Sequence, residues 1–372
     1  MSATEAAVRP ATPFLGWDCI EFWVGNARTT AGFLMSAYGF RCTAYAGPET
    51  GVRTKASYVL EQGDIRFVVS GALTPDSPIA EHVRHHGDGV HDLALLVTDA
   101  EAAYAAAVSR GARSVREPWA ETDDQGTLRL AQIGTYGETV HTFVDRTDYR
   151  GTTLEPGYGA DNLPPTPVGP AVGLVAIDHV VGNVEDGKLA DWVGFYESVL
   201  GFGELRHFDA DQIRTEYSAL RSTVVWDGQR IVMPINEPAE GRRKSQIQEY
   251  VDSYDGPGVQ HIALRTDDIL TAVQALRDRG VRFMRVPDAY YAEARARFDG
   301  IELPWDEIQR LNVLVDREGD GYLLQIFTET VTDRPTVFFE IIERRGAQGF
   351  GEGNFKALFE AIEREQAKRG NL

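Results

Sequence analysis

The sequence predicts an α+β fold built from two tandem copies of one sheet-forming module. The run Gly-Val-His-Asp-Leu-Ala-Leu at 89–95 returns as Gly-Val-Gln-His-Ile-Ala-Leu at 258–264, and the surrounding segments share one order of strand, helix and strand. Helical stretches alternate with short β-rich runs in both halves, which is typical of an α+β domain with a mostly antiparallel sheet. Two long copies are too few for a solenoid, so we expect two tandem domains.

The elements of the first half recur in order in the second half. A strand at 17–20 matches one at 177–180, and each leads through Gly-Asn to a helix that ends in Tyr-Gly-Phe or Leu-Gly-Phe. Each half closes on a further β-rich run, at 140–146 and at 338–344. The difference in residue number between matched positions of the two halves grows along the chain, which indicates insertions in the second half. The largest insertion is expected shortly before the closing run.

Composition along the chain suggests the domain boundaries. We expect a first domain at 1–150, a linker at 151–170 that is rich in proline and glycine, and a second domain at 171–372. A helix at about 353–370 ends the second domain. Asn354 is a candidate N-cap for this helix, and one apolar face follows at helical spacing, formed by Phe355, Leu358, Phe359 and Ile362.

The overall composition excludes several kinds of partner. The net charge is −19 over 372 residues, so the surface repels nucleic acid and anionic membranes, and we expect neither as a partner. Two cysteines are too few for a disulfide framework, and the segment 1–14 lacks the apolar run of a signal peptide. No stretch has the length and apolarity of a membrane span. We therefore expect a cytoplasmic protein.

Three chemically distinctive residues occupy matched places in the repeat, each within a predicted strand. They are His179, His261 and Glu340, where the first half has Cys19, Asp92 and Thr142. If the modules share a fold, two imidazoles and one carboxylate meet in the second domain. Such a set leaves three positions open on an octahedral ion, as non-haem Fe(II) and O₂ chemistry requires. A single histidine on a strand is more often a hydrogen-bonded structural residue, but the joint placement favours a metal site.

Other distinctive residues give weaker indications. His82, His85, His86 and His91 cluster in the first half, and we interpret them as surface residues, with an adventitious metal patch as the alternative. No nucleophile lies on a recognisable elbow, and the glycine-rich segment 349–353 lacks the strand and the Lys-Ser/Thr of a phosphate loop. Its glycines are better suited to letting a segment pivot over a cavity.

Several long motifs occur in order in the second half. They are Pro-Ile-Asn-Glu-Pro-Ala at 234–239, Lys-Ser-Gln-Ile-Gln-Glu-Tyr at 244–250, Gly-Val-Gln-His-Ile-Ala at 258–263, Asp-Gly-Tyr-Leu-Leu-Gln-Ile-Phe-Thr at 320–328, Asp-Arg-Pro-Thr at 333–336, Gly-Phe-Gly at 349–351 and Gly-Asn-Phe-Lys-Ala-Leu-Phe at 353–359. With these motifs the sequence resembles the 4-hydroxyphenylpyruvate dioxygenase family of the vicinal-oxygen-chelate superfamily, over nearly the whole chain. The resemblance implies a glyoxalase-like fold of two barrel-like domains, each made of paired βαβββ units, with a metal-free first domain that serves support or assembly.

The resemblance also implies an activity. It implies one Fe(II) per chain, bound by His179, His261 and Glu340, and the oxidative decarboxylation of 4-hydroxyphenylpyruvate with O₂. Ring hydroxylation and side-chain migration then give homogentisate and CO₂, in tyrosine and phenylalanine catabolism. Because the substrate carries its own keto acid, no separate 2-oxoglutarate is required.

The same matching implies roles for further residues. A polar set that orients the substrate consists of Ser222, Asn236, Gln246 and Gln260, and Gln325 is expected to hydrogen-bond near the metal. Phe327 and Phe355 are expected to sandwich the aromatic ring, while Phe350 and Pro234 line the pocket. The C-terminal helix resembles the family's lid, which shields the reaction from water. From the residues alone, core packing explains the phenylalanines and structural hydrogen bonding explains the amides equally well.

Two other interpretations stay open. Hydroxymandelate synthase shares fold, iron and substrate but hydroxylates the benzylic carbon. Asn236, Phe355 and Pro234 favour the dioxygenase, because the synthase resemblance has an apolar residue at the first position and no phenylalanine at the second. A non-catalytic ligand-binding member of the superfamily is the other alternative, although such proteins usually lose the ligand residues. Related bacterial enzymes are commonly dimers or tetramers, so the resemblance implies a homo-oligomer.

Overall fold

The computed structural model describes residues 13–151, 153–161, 163, 170–210, 215, 217–298 and 301–371. Most of the segment 1–14, on which the signal-peptide expectation depends, and part of the expected linker lie outside the described residues. The described chain forms two eight-stranded sheets in succession, each curled into an open half-barrel. The α+β class and the tandem arrangement are confirmed.

The first sheet has the spatial order β2-β3-β4-β1-β5-β8-β7-β6. Its strands are β1 (Phe14–Val24), β2 (Arg41–Ala46), β3 (Lys55–Gln62), β4 (Ile65–Ala72), β5 (Gly89–Val97), β6 (Ser114–Asp123), β7 (Gly126–Gly134) and β8 (Val140–Asp145). Its helices are α1 (Ala27–Tyr38), α2 (Pro78–His86) and α3 (Ala100–Ser109).

The second sheet repeats this order as β10-β11-β12-β9-β13-β16-β15-β14. Its strands are β9 (Leu174–Asn183), β10 (Gly203–Phe208), β11 (Ala219–Trp226), β12 (Val232–Ala239), β13 (Gly258–Thr266), β14 (Leu314–Glu318), β15 (Gly321–Phe327) and β16 (Phe338–Arg345). Its helices are α4 (Leu189–Phe195), α5 (Gln246–Tyr254), α6 (Ile269–Asp278), α7 (Asp288–Arg297), α8 (Trp305–Leu311) and α9 (Phe355–Arg369).

Each sheet consists of two βαβββ units that meet at their first strands. In the first sheet β1 runs parallel to β4 and antiparallel to β5, and β5 runs parallel to β8. The other neighbouring strands of this sheet are antiparallel, as the sequence predicts. In the second sheet α7 and α8 are inserted between α6 and β14. This insertion explains why the repeat offset grows most before the closing strand.

Apolar packing joins the two domains. One continuous core draws side chains from both: the rings of Phe14 and Phe202 lie 5.5 Å apart, and those of Phe22 and Phe339 lie 6.4 Å apart. Burial of this shared surface favours a fixed arrangement of the domains. Both cysteines are buried and free, and the described part of the chain has no helix of the length and apolarity that a membrane crossing needs.

Two histidines of α2 are buried, so their interpretation as surface residues is wrong. His82 is 2% exposed and His86 is 7% exposed, because α2 packs against β1 and β4 of its own domain and against α5 of the second domain. The His86 ring stacks on Tyr254 of α5. His91 is also half-buried, stacked on Trp23, whereas His85 remains partly exposed. The burial comes from tertiary contacts within the first domain and with the second domain, which the local helical pattern does not encode.

Candidate metal centre

Three neighbouring strands of the second sheet bring the expected metal ligands together. His179 lies on β9, His261 on the central strand β13 and Glu340 on β16. Ala263 of β13 is opposite both His179 and Glu340. His179, Ala263 and Glu340 therefore form one row across the sheet. His261 precedes Ala263 by two positions, which places its side chain on the same face.

The three side chains converge at short distances. The Nε2 atom of His179 lies 3.2 Å from Oε2 of Glu340, and the Nε2 atom of His261 lies 3.4 Å from the same oxygen. The ligand atoms of the three residues all lie within 4.8 Å of one another, and all three residues are buried. Glu340 Oε1 has no hydrogen-bond partner in the part of the chain that the structure describes. A buried carboxylate oxygen without a partner is costly, and a bound cation removes that cost.

The other nitrogen of each imidazole is held by a hydrogen-bond acceptor. His179 Nδ1 lies 2.8 Å from Oδ1 of Asp178, which in turn accepts two hydrogen bonds from Arg344 at 2.7 and 2.8 Å. His261 Nδ1 lies 2.9 Å from Oε1 of Gln260. Carboxylate and amide oxygens accept, so each Nδ1 donates, and in the neutral ring each Nε2 would present a lone pair toward Glu340. Such partners orient and tune the histidines of metal sites.

The charges around this cluster favour a cation. Burial opposes charge on His179, but the carboxylates of Glu340 and Asp178 outweigh burial and raise the pKa of His179 to about 9. Burial likewise opposes charge on Glu340, but His179 outweighs it and lowers the pKa of this carboxyl. Burial keeps the pKa of His261 below its ordinary value. Without an ion, His179 and Glu340 share a proton at neutral pH. A divalent ion bound by the cluster would displace this proton.

The matched cluster of the first domain has a different character. The strand register places Cys19 opposite Ala94 as it places His179 opposite Ala263, and Asp92 opposite Val140 as it places His261 opposite Phe338. The register therefore supports the matching of positions in the two repeats.

In the first domain, the matched residues Asp92 and Thr142 are hydrogen-bonded to each other. Asp92 accepts hydrogen bonds from the backbone N–H and the hydroxyl of Thr142, and burial raises the pKa of the Cys19 thiol. With Cys19 they line a cavity of about 430 Å³ that also contains Lys55, Arg146 and several acidic side chains. A protonated thiol and an engaged carboxylate are poor metal ligands.

A cavity beside the second-domain cluster contains most of the expected substrate residues. Its volume is about 70 Å³. Ser222 and Asn236 face each other across β11 and β12, Gln246 begins α5, and Gln260 lies on β13. Pro234 and the aromatic residues Phe327, Phe350 and Phe355 complete this group, and all of these residues line the cavity. Gln325 is buried two residues before Phe327 and packs under Gly351; it is not among the lining residues.

The C-terminal helix α9 covers this cavity. The expected apolar face is present, because Phe355, Leu358, Phe359 and Ile362 all line the cavity. Asn354 lies at the expected N-cap position of α9, but its side chain makes no capping hydrogen bond to the described residues. Instead its Oδ1 accepts a hydrogen bond of 2.6 Å from the Tyr290 hydroxyl. This residue therefore ties the start of α9 to the inserted helix α7, a contact that the local sequence does not reveal.

Sequence reasoning missed Asp178, Arg344 and Ala263. The signal was present in the repeat, because Asp18 and Arg146 form the same bidentate pair at the matched positions of the first domain. Ala263 likewise matches Ala94. A larger side chain at this point of the row would project into the space between His179 and Glu340.

Family models match both halves of the chain. Residues 12–158 match the model described as hydroxyphenylpyruvate dioxygenase, HPPD, N-terminal. Residues 176–326 match the Glyoxalase/Bleomycin resistance protein/Dioxygenase superfamily. The chain is 49% identical over 366 residues to 4-hydroxyphenylpyruvate dioxygenase from Dictyostelium discoideum, a match that covers 96% of this chain and 100% of the relative. It is 46% identical to the enzyme of the same name from Yarrowia lipolytica, with 96% and 94% covered.

Solved structures share the whole architecture. A triple mutant of 4-hydroxymandelate synthase from Streptomyces coelicolor superposes with a TM-score of 0.84 at 34% identity, covering 96% of this chain and 100% of that one. A fusion protein of a xylose isomerase-like TIM barrel with 4-hydroxyphenylpyruvate dioxygenase has a TM-score of 0.73 at 26% identity, covering 98% of this chain and 55% of that one.

Proposed function

The chain belongs to the 4-hydroxyphenylpyruvate dioxygenase family, and from this premise we propose that it converts 4-hydroxyphenylpyruvate and O₂ to homogentisate and CO₂ with one Fe(II) per chain. The observation that carries the proposal is the buried cluster of His179, His261 and Glu340, whose ligand atoms lie within 4.8 Å of one another. Two imidazoles and one carboxylate on one side of an ion are the ligand set of non-haem Fe(II) oxygenases.

The protein groups prepare this site for an anionic keto acid. Bound Fe(II) would supply coordination of the keto carboxylate and activation of O₂. With two neutral imidazoles and one carboxylate, a site that holds a divalent ion keeps a net charge of +1, which attracts an anion. Asp178 and Gln260 keep the two imidazoles in the tautomer that offers Nε2 to the ion.

The cavity residues would position the aromatic end of the substrate. Its lining combines phenylalanine rings with a few amide and hydroxyl groups, as expected for a site that holds a ring and one phenolic hydroxyl. We assign Ser222, Asn236, Gln246 and Gln260 to substrate orientation, and Phe327 and Phe355 to the two faces of the ring. Phe350 and Pro234 shape the wall. Gln325 does not line the cavity, and we assign it an indirect role, which is to support the loop at Gly351.

The first domain would serve as support. Its matched cluster lacks the ligand set, and its core is continuous with that of the second domain. We also propose a cytoplasmic location, a place in tyrosine and phenylalanine catabolism, and a homo-oligomer, dimer or tetramer, as in related enzymes.

Benzylic hydroxylation to 4-hydroxymandelate is the second candidate, because a 4-hydroxymandelate synthase mutant shares the architecture at a TM-score of 0.84. Asn236, Phe355 and Pro234 in the cavity favour the dioxygenase. The test is to load the protein anaerobically with Fe(II), add 4-hydroxyphenylpyruvate and O₂, and separate the products by chromatography. We expect homogentisate. Hydroxymandelate as the main product would establish the second candidate, and failure to retain Fe(II) would indicate a non-catalytic binding protein.

A further inference from the structure

A second cluster of metal-ligand type lies where the two domains meet. His82 and His86 are separated by one turn of α2 and therefore share a face of the helix. Glu138, in the turn between β7 and β8, directs its carboxylate at both rings. Oε2 of Glu138 lies 3.2 Å from Nε2 of His86 and 3.8 Å from Nδ1 of His82. One ligand atom from each of the three residues lies within 4.8 Å of the other two.

The hydrogen bonding of this cluster is incomplete. Among the described residues, neither ring nitrogen of His82 has a hydrogen-bond partner, nor has Nε2 of His86, although both residues are buried. His86 Nδ1 lies 2.5 Å from the carbonyl oxygen of Tyr254. A carbonyl only accepts, so Nδ1 donates, and in the neutral ring Nε2 carries a lone pair that faces a carboxylate. Two acceptors at this distance repel unless a cation lies between them.

We propose that His82, His86 and Glu138 bind a divalent cation of the Zn²⁺ type, in a second metal site distinct from the catalytic cluster. Two imidazoles one helical turn apart and one carboxylate are a familiar Zn²⁺ ligand set, with water completing the tetrahedron. Ligand atoms on a tetrahedral Zn²⁺ ion are separated by roughly 3.3 Å, close to the 3.2 and 3.8 Å observed. The bond from His86 to Tyr254 is the second contact expected of a ligating histidine.

The accessibility and protonation of these groups suit metal binding. The Glu138 side chain is 60% exposed, so the ion can enter from solvent at that side. His82 makes no hydrogen bond to the described residues through either ring nitrogen, so the lone pair of the neutral ring is available to an ion. His85, between the two on the sequence, points elsewhere and pairs with Glu81.

The ion would tie together elements of both domains near the catalytic strand β13. It would link α2 to the β7–β8 turn, and through His86 it would engage the last residue of α5. Four residues after Tyr254 begins β13, the strand that carries His261. Arg334 of the second domain also donates hydrogen bonds to the carbonyl oxygens of His85 and Ser253. The site therefore acts as a structural clamp at the domain junction.

Zinc binding to the full-length Fe(II)-loaded protein tests this proposal. In equilibrium dialysis, we expect the wild type to bind one more equivalent of Zn²⁺ per chain than Glu138→Gln or His86→Ala. If these variants still bind the ion, we expect their affinity for it to be at least about 10-fold weaker than that of the wild type. Any uptake at the catalytic cluster is common to all the proteins and cancels in the comparison. Zn²⁺ should also raise the midpoint of thermal unfolding more in the wild type, because the ion binds only the folded state.

His85→Ala is the matched control, since it removes a histidine of the same helix from outside the cluster. It should bind Zn²⁺ like the wild type. Glu138 is exposed, so Glu138→Gln should fold even if His86→Ala does not. Equal Zn²⁺ stoichiometry and affinity in the wild type and in Glu138→Gln would overturn the proposal.

Discussion

At the scale of single residues, Glu340 sets the charge of the metal centre. Replacing it by glutamine keeps its volume but removes the negative charge and weakens the ligand. We expect Glu340→Gln to retain the fold and to lose more than about 100-fold in turnover. This loss exceeds the one typical of altering a residue that only hydrogen-bonds to a metal ligand. Oxygen uptake with 4-hydroxyphenylpyruvate measures turnover. Glu343→Gln, on the same strand and paired with Arg345, is the control, and wild-type rates in Glu340→Gln would remove this residue from the coordination sphere.

Asp178 holds the His179 ring for the ion without touching the ion itself. Asp178→Asn removes the charge that pairs with Arg344 and supports the Nδ1 proton. We expect affinity for Fe(II) to fall about 10- to 100-fold, the usual effect of losing such a partner. The first domain supplies a matched control in Asp18→Asn, which breaks the equivalent pair with Arg146. If both variants weaken Fe(II) binding equally, the effect is general destabilisation and the assigned role is wrong.

Residue-scale prediction from sequence succeeded for the metal ligands because the repeat supplied an internal comparison. Cys19, Asp92 and Thr142 mark positions that the second domain changed, so chemistry could be inferred from the difference. The roles of Asn354 and Gln325 were harder to anticipate. Asn354 bonds to Tyr290 of an inserted helix, and Gln325 packs under Gly351; both contacts depend on segments that have no counterpart in the first domain.

At the scale of elements, we predict that α9 moves when an aromatic substrate binds. The cavity beneath it measures about 70 Å³, whereas a cavity of about 150 Å³ is one that holds benzene. The helix is held at its end by the Arg369–Glu249 ion pair and near its middle by hydrogen bonds from Ser218 and Thr215 to Glu363. These polar contacts lie outside the strand-to-strand hydrogen bonds, so we expect them to open without disrupting the sheet.

Hydrogen exchange can detect this opening. Without substrate, we expect the amides of α9 to exchange faster than those of β13 and β16, because opening of the helix costs less than opening of the sheet. Adding the keto acid to the anaerobic Fe(II) protein should slow exchange in α9 selectively. Exchange in α9 that is already as slow as in β13 without substrate would contradict a moving lid.

At the scale of the whole molecule, we expect a buried histidine at the contact between the two domains to make the stability of the fold depend on pH. His141 of β8 is fully buried; its Nδ1 bonds to the Leu93 carbonyl and its Nε2 lies 2.9 Å from the hydroxyl of Tyr196 in the second domain. Burial lowers the pKa of His141 to about 4. Because the unfolded chain binds this proton at higher pH, the folded state loses stability as pH falls from about 6.5 toward 4.

Urea unfolding at two pH values checks this coupling. His141 alone should cost the wild type about 2 kcal/mol of unfolding free energy between pH 7.5 and pH 5. His141→Gln should be less stable at pH 7.5 but should lack that part of the pH dependence. His207→Gln, at an exposed position, serves as the control. An unchanged pH dependence in His141→Gln would show that protonation of this residue does not destabilise the fold.

The overall architecture was largely predictable because duplication makes the order of strands visible twice in one chain. What the sequence could not supply are contacts between the domains. The interpretation of His82 and His86 as surface residues follows from their spacing across a presumed helix end and a Gly-Asp-Gly turn, whereas their burial arises where α2 packs on β1, β4 and α5. The shared core around Phe22 and Phe339 is likewise a long-range feature that no local pattern encodes.

Anomalous diffraction at the iron edge, on crystals grown anaerobically with Fe(II), tests the central claim most directly. We expect a peak within bonding distance of Nε2 of His179, Nε2 of His261 and a carboxylate oxygen of Glu340, with open positions facing the cavity. The absence of a peak there in iron-replete crystals, or a peak bonded to one or two of these residues with no room on the cavity side, would contradict the account.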